Sequence, residues 1–315
     1  LSAPGGQGEG VRGAGGGAAL TDGVIILDKP AGITSFRAVE RVGRALGQKK
    51  CGHAGTLDPM ATGVLPVCAG RATKIAGYIA GQEKEYDVFF RFGSATDTGD
   101  ATGREMESRP GVFATETAVA DAVAGLVGSW EQVPPAFSAV KVSGTRAYVL
   151  ARQGKDVKLS PRPVTVFEAR LITWSPEGFR AFLRCTKGFY VRSLPRDIGP
   201  VLGVAMTVSG IRRLRCGPFR IEDAVTLSDL VEEGKRGEAC ARLVPIAKAL
   251  AGFTQWEIPA EAAAAVRLGS SPGPWLAGRD PGPVGSVVLL TNAKEGPIAL
   301  VERSDIGLWR IVRGI

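Results

Sequence analysis

A chain of 315 residues, 44% of them hydrophobic, can bury a sizeable core and favours two domains over one. Its formal net charge of +8 favours an anionic partner, nucleic acid first and an acidic membrane surface second. Five cysteines without a Cys-x-x-Cys pair, together with a single histidine, argue against a disulfide framework and against a zinc or other transition-metal site.

Residues 1–20 are rich in Gly and Ala and lack the apolar core of a signal peptide, so a disordered start is expected. The apolar run 24–27 reads as a buried strand ending in a loop at Asp28-Lys29-Pro30. Thr34 or Ser35 then caps a helix with Phe36, Val39, Val42 and Leu46 on one face, ended by Gly47. A polar, glycine-bearing segment, 52–59, precedes another short strand at 64–68. Tyr86, Val88, Phe90 and Phe92 alternate with Asp87, Phe89 and Arg91, which predicts a strand. Val119, Val123, Leu126 and Val127 form a helical stripe closed by Gly128.

Residues 132–163 interrupt this pattern with four prolines and the basic residues Lys141, Arg146, Arg152, Lys155, Lys158 and Arg162, a basic excursion from the core suited to RNA. Strands resume at 164–174 and 179–185, a turn falls at Lys187-Gly188, and a helix starts near Ser193. Residues 204–214 read as a strand with a run of arginines, Arg212, Arg213 and Arg215, beyond it. Beyond a break near 248–252, strand-like runs at 286–291, 298–302 and 308–313 suggest a small β-barrel. The whole reads as α+β with a mixed, largely antiparallel sheet. No apolar run approaches the ~20 residues of a membrane span, and with unpaired thiols the expected location is cytoplasmic.

The segment Gly52-His53-Ala54-Gly55-Thr56-Leu57-Asp58-Pro59 carries the clearest chemistry. Two glycines bend it and Pro59 stiffens it, and Asp58 sits between two apolar neighbours, as suits a partly shielded carboxylate. On spacing alone Asp58 serves equally well as a turn cap. A triphosphate loop is rejected, because no Gly-Lys-Ser/Thr follows the glycines.

Extended to residue 66, the run GHAGTLDPMATGVLP resembles the signature of the TruB-type tRNA pseudouridine synthases. Four further segments agree in order: Asp28 to Ser35; Glu85-Tyr86-Asp87 with Asp97 to Asp100; Pro134 to Ala139; and Gly188 to Ser193. The resemblance covers roughly residues 23–250 and implies a catalytic domain over 21–249, followed by a PUA-like RNA-binding domain over 250–315. It implies an isomerase that flips a uridine from the T-loop of tRNA and converts it, at tRNA position 55, to pseudouridine. No cofactor, metal or obligate protein partner is needed, and a monomer is expected.

By the same resemblance Asp58 is catalytic and Arg192 pairs with it. Tyr86 stacks on the base, and Tyr190 contacts substrate. Ile211 lies where a leucine is usual, and Phe137 stands where a tyrosine is usual. His53 enters the RNA loop. Lys29 and Pro30 brace the site, although Lys29 alone suits a phosphate contact equally well. Tyr86 read from its strand pattern alone is a core aromatic, and Arg192 alone is a phosphate-binding or surface arginine. Two other readings compete: a non-catalytic RNA-binding or RNA-folding protein, and a sugar hydrolase with a second acid among Asp28, Asp97 and Asp100.

Overall fold

A computed structural model describes residues 22–142, 144–280 and 282–315, so the expectation for residues 1–20 lies outside the described residues. The fold is α+β around one ten-stranded sheet. Its main path runs Val225–Thr226, Gly23–Lys29, Thr62–Ala69, Met206–Cys216, Lys84–Phe92, Gly178–Cys185, Arg162–Ser175 and Gly128–Gln132. Two contacts on that path are parallel: Gly23–Lys29 with Val225–Thr226, and Thr62–Ala69 with Met206–Cys216. The rest are antiparallel, as the sequence suggests.

The Lys84–Phe92 strand lies between two antiparallel neighbours. Its alternation places Tyr86, Val88, Phe90 and Phe92 in the core, where Phe90 stacks on Phe179 with ring centroids 4.8 Å apart. Helices cover this face through Val39 and Val42, Val119 and Val123, and Leu194 and Ile198. Each such side chain contributes about 1.5–3 kcal/mol on burial.

Two helix readings are corrected. Thr34 caps the Ser35–Ala45 helix by accepting from the Arg37 amide, but Phe36 is 67% exposed, because Ser35 and Ala38 take the inward face beside Val39 and Val42. The Glu116–Ala124 helix ends at Gly125, so Val127 is exposed and Gly128 opens the edge strand. The excursion between Gln132 and Arg162 holds a hairpin, Lys141–Val142 with Thr145–Arg146, and a short helix, Ala147–Arg152.

The expected C-terminal barrel is an open four-stranded sheet among the described residues, ordered Thr254–Glu257, Val287–Asn292, Gly296–Arg303 and Trp309–Gly314. Both faces are already covered, so the edges need not meet. Val288, Leu290 and Ile298 pack with Ala262, Ala263 and Val266 of the Ala260–Arg267 helix. Leu289 and Leu300, on the opposite face, join Val24, Ile26, Val64, Cys68 and Leu250 in a cluster shared with the large sheet. Among the described residues no helix is long and apolar enough to cross a membrane.

Candidate active site

Residues 54–61 leave the antiparallel pair formed by Cys51–His53 and Thr62–Ala69, so both ends of the loop are tied to one sheet. Side chains from elsewhere anchor its carbonyls and amides. Ser35 Oγ donates to the Leu57 carbonyl at 2.8 Å and accepts from the Leu57 amide at 2.9 Å. The Gly32 amide donates to the Pro59 carbonyl at 2.9 Å. Lys29 Nζ donates to the carbonyls of Pro30, Ile33 and Pro59 at 2.8, 2.8 and 3.3 Å. Arg213 donates to Gly55, Thr56 and Val64 carbonyls at 3.0, 3.3 and 2.7 Å.

Asp58 sits on this anchored loop with about a third of its side chain exposed. Arg192 grips it through two donors: Nε to Oδ2 at 2.7 Å and Nη2 to Oδ1 at 3.1 Å. This is the forked geometry of a strong guanidinium–carboxylate pair. The same guanidinium donates to the carbonyls of Thr98 and Phe137 at 3.0 and 2.8 Å. Its Nε also lies 3.5 Å from Oδ2 of Asp100. Asp100 is almost wholly buried, and its Oδ1 accepts from Thr98 Oγ1, Thr102 Oγ1 and the Thr102 amide. Gly99 has φ +72°, and a Cβ there would strike the Arg192 carbonyl, so only glycine lets the two segments approach this closely.

Arg192 is therefore fixed on its buried side while Asp58 keeps an open side. Tyr190 stands near Arg162, Ser138, Arg192 and Asp58. Burial raises its hydroxyl above the ordinary phenol range, and the nearby arginines and Ser138 oppose this. Tyr86 and Ile211 lie on adjacent strands, with Tyr86 opposite Arg213 and Val88 opposite Ile211. Such cross-strand partners share one face of the sheet. Burial pushes the Tyr86 phenol well up, and Arg213 opposes it.

Lys29 is fully buried and donates to three carbonyls, so it ties its own turn to the Asp58 loop. Burial lowers its pKa to about 8, with Asp58 opposing and Arg213 adding to the drop. Pro30 is exposed beside it. His53 ends the strand that feeds the loop and is partly exposed, with a buried Nδ1 that has no partner among the described residues. Burial, with Arg213 adding, lowers its pKa below the usual imidazole value.

The sugar-hydrolase reading loses its second acid in this arrangement. Asp28 forms a two-point pair with Arg212, Asp97 accepts from the Arg104 amide, and Asp100 lies behind Arg192. Three residues take roles here that the sequence did not give them: Ser35, Asp100 and Arg213. The arginines at 212, 213 and 215 lie within the Met206–Cys216 strand, not beyond it. Regular alternation from Ile211 turns Arg213 inward, Arg212 pairs with Asp28 on the other face, and a register shift after Arg213 sends Arg215 to that outer face, where it pairs with Glu85. The available signal was the two-residue step from Ile211 to Arg213, which puts both on one face.

The structure of a Cbf5-Nop10-Gar1 complex superposes with a TM-score of 0.71 at 26% identity, covering 94% of this chain and 84% of that one. The model of the TruB family pseudouridylate synthase N-terminal domain matches residues 43–191. The tRNA pseudouridine synthase B of Chromohalobacter salexigens is 44% identical over 241 residues, spanning 76% of this chain and 78% of that protein. The protein of the same name from Thermobifida fusca is 46% identical over 244 residues, spanning 74% and 83%. The Geobacillus kaustophilus protein, also so named, is 42% identical over 256 residues, spanning 79% and 90%. This chain belongs to the TruB family of pseudouridine synthases.

Proposed function

We propose that the chain converts the uridine at position 55 of the tRNA T-loop to pseudouridine, with Asp58 as its catalytic group. The observation that carries this reading is the Asp58–Arg192 pair, closed on its buried side and open on the other. In the reaction the bond from ribose C1′ to N1 breaks and a bond from C1′ to C5 forms. N1 gains a proton and C5 loses one, so the change is an isomerisation and no redox partner enters. Attack at C1′, addition at C6 and proton removal at C2′ each use an ionised carboxylate, which the Arg192 cation favours.

The target base must leave its stack to meet Asp58, at a cost of a few kcal/mol. Tyr86 and Ile211 line the receiving face, with Tyr190 beside Arg192. His53, at the edge of the loop, fills the space the base vacates. The exposed cations of residues 132–163 grip the T-arm backbone, and residues 250–315 act as a PUA-like RNA-binding unit behind the 21–249 catalytic domain. The protein acts as a monomer on tRNA in the cytoplasm.

The test is incubation of purified protein, with EDTA present, with unmodified tRNA transcript, mapping pseudouridine by carbodiimide-dependent primer-extension stops. A single new stop at the T-loop uridine is expected with the parent and none with Asp58→Asn, while tRNA affinity stays within about tenfold. Turnover by the Asn variant removes Asp58 from the chemistry.

A further inference from the structure

Arg213 is among the largest fully buried side chains, 1% exposed, and no carboxylate pairs with it among the described residues. A buried guanidinium without a counter-charge is costly, so its five donors must be satisfied otherwise. Each of its three nitrogens meets one carbonyl: that of Val64, near the start of the strand that leaves the loop, and those of Gly55 and Thr56 within the loop. Carbonyl dipoles solvate the cation without neutralising it.

The position is built into the backbone. Arg213 lies opposite Tyr86 across the sheet, and the Tyr86 phenol faces the guanidinium. Gly63 has φ +98°, and a Cβ there would strike the Arg213 carbonyl, so a glycine is required for the loop's return strand to lie against this residue. The guanidinium thus touches the segment two residues before Asp58 on one side and faces the active-site tyrosine on the other.

We propose that Arg213 is a positioning residue for the isomerisation: it fixes residues 55–56, and through them Asp58, relative to the phenol hydroxyl of Tyr86. The inference rests on the functional reading above. In this assignment Arg213, 1% exposed, acts without touching base or ribose. It acts by holding two groups that approach substrate from different elements, one on the loop and one on the Lys84–Phe92 strand. Misplacement of about 1 Å at such a site costs on the order of 10²-fold in rate.

Lysine at this position keeps the charge but replaces a planar fork by a single ammonium. Glutamine keeps an N–H donor pair without charge. The experiment measures single-turnover pseudouridine formation and tRNA Kd for the parent, Arg213→Lys, Arg213→Gln, Tyr86→Phe and the Arg213→Lys/Tyr86→Phe double variant, after circular dichroism confirms folding.

The expected result is a rate loss of roughly 30- to 100-fold for Arg213→Lys, with Kd within about threefold of the parent. The double variant should lose clearly less than the product of the two single losses, because both substitutions break one arrangement. Multiplicative losses, an unchanged rate, or a loss confined to Kd overturns the proposal. If the lysine variant does not fold, the glutamine variant decides by the same rate-against-Kd split. If neither folds, Arg213 belongs to the fold alone and the proposal falls. A parent that forms no pseudouridine refutes the functional reading instead, and so is distinguished from failure of the Arg213 assignment.

Discussion

The ground beneath the catalytic loop and the excursion at residues 132–163 use basic side chains in opposite ways. Below the loop, Lys29, Lys84 and Arg213 are buried and bonded to carbonyl oxygens, and Arg192 is buried between carbonyls and carboxylates. In the excursion Lys141, Arg146, Arg152, Lys155, Lys158 and Arg162 are all exposed, with no ion pair among the described residues. The first group spends its donors on the protein's own backbone and fixes geometry. The second leaves its donors to solvent, where an anionic partner could reach them. Charge alone does not separate these uses; burial and hydrogen-bond partners do.

The largest effect should come from Arg192. Arg192→Lys keeps a cation near Asp58 and Asp100 but cannot bond both carboxylate oxygens of Asp58 and both flanking carbonyls at once. Single-turnover rate should fall by at least about 10²-fold. Arg192→Met goes further and leaves Asp100, nearly buried, without its cation. That variant should lose roughly 3 kcal/mol in urea unfolding, the scale of a broken buried pair. A methionine variant as stable as the parent would show that the threonines around Asp100 suffice for it.

Lys29 sharpens the comparison through pH. Its folded pKa is about 8 against an ordinary 10.5. Below about pH 8 the folded chain carries a proton that burial disfavours, and the full cost is present. Between about 8 and 10.5 the unfolded chain still binds this proton while the folded chain has released it, so stability rises with pH. Parent minus Lys29→Met stability should therefore climb by about 2–3 kcal/mol from pH 7 to pH 10 in urea unfolding. A flat or falling difference would mean that the three carbonyls hold Lys29 protonated throughout. Activity should move the other way, because a neutral amine has too few donors for its three carbonyls, and the rate should decline above pH 8.

Much of this was legible in the sequence, for identifiable reasons. Period-two alternation gave the Lys84–Phe92 strand, and glycine with proline marked the Asp58 loop as a bent surface segment. Asp58, Tyr86 and Arg192 stood out through motif resemblance and not through spacing, since each had an ordinary structural reading. Ser35 was legible only as a cap, because its bonds to Leu57 cross 22 positions of sequence. The inward face of Arg213 follows from its two-residue step after Ile211, but the register shift that sends Arg215 outward is not encoded in composition. The C-terminal strands were placed correctly, but closure was not. Alternation shows that a strand has two faces and does not show that both are covered by other elements.

The smallest effect, and the one that tests the other half of the comparison, concerns the exposed cations. Replacing Lys141, Lys155 and Lys158 together by alanine removes charges that hold nothing within the protein, so unfolding should shift by less than about 0.5 kcal/mol. If each meets one phosphate of the RNA, the slope of log affinity against log salt should fall by about 0.7–0.9 per lysine. Affinity at low salt should drop while the saturated single-turnover rate stays within about threefold, since none of the three supports Asp58. An unchanged slope would remove these three lysines from the RNA interface. A reduced rate with an unchanged slope would mean that the excursion shapes the site as the buried cations do, and would erase the distinction between the two regions.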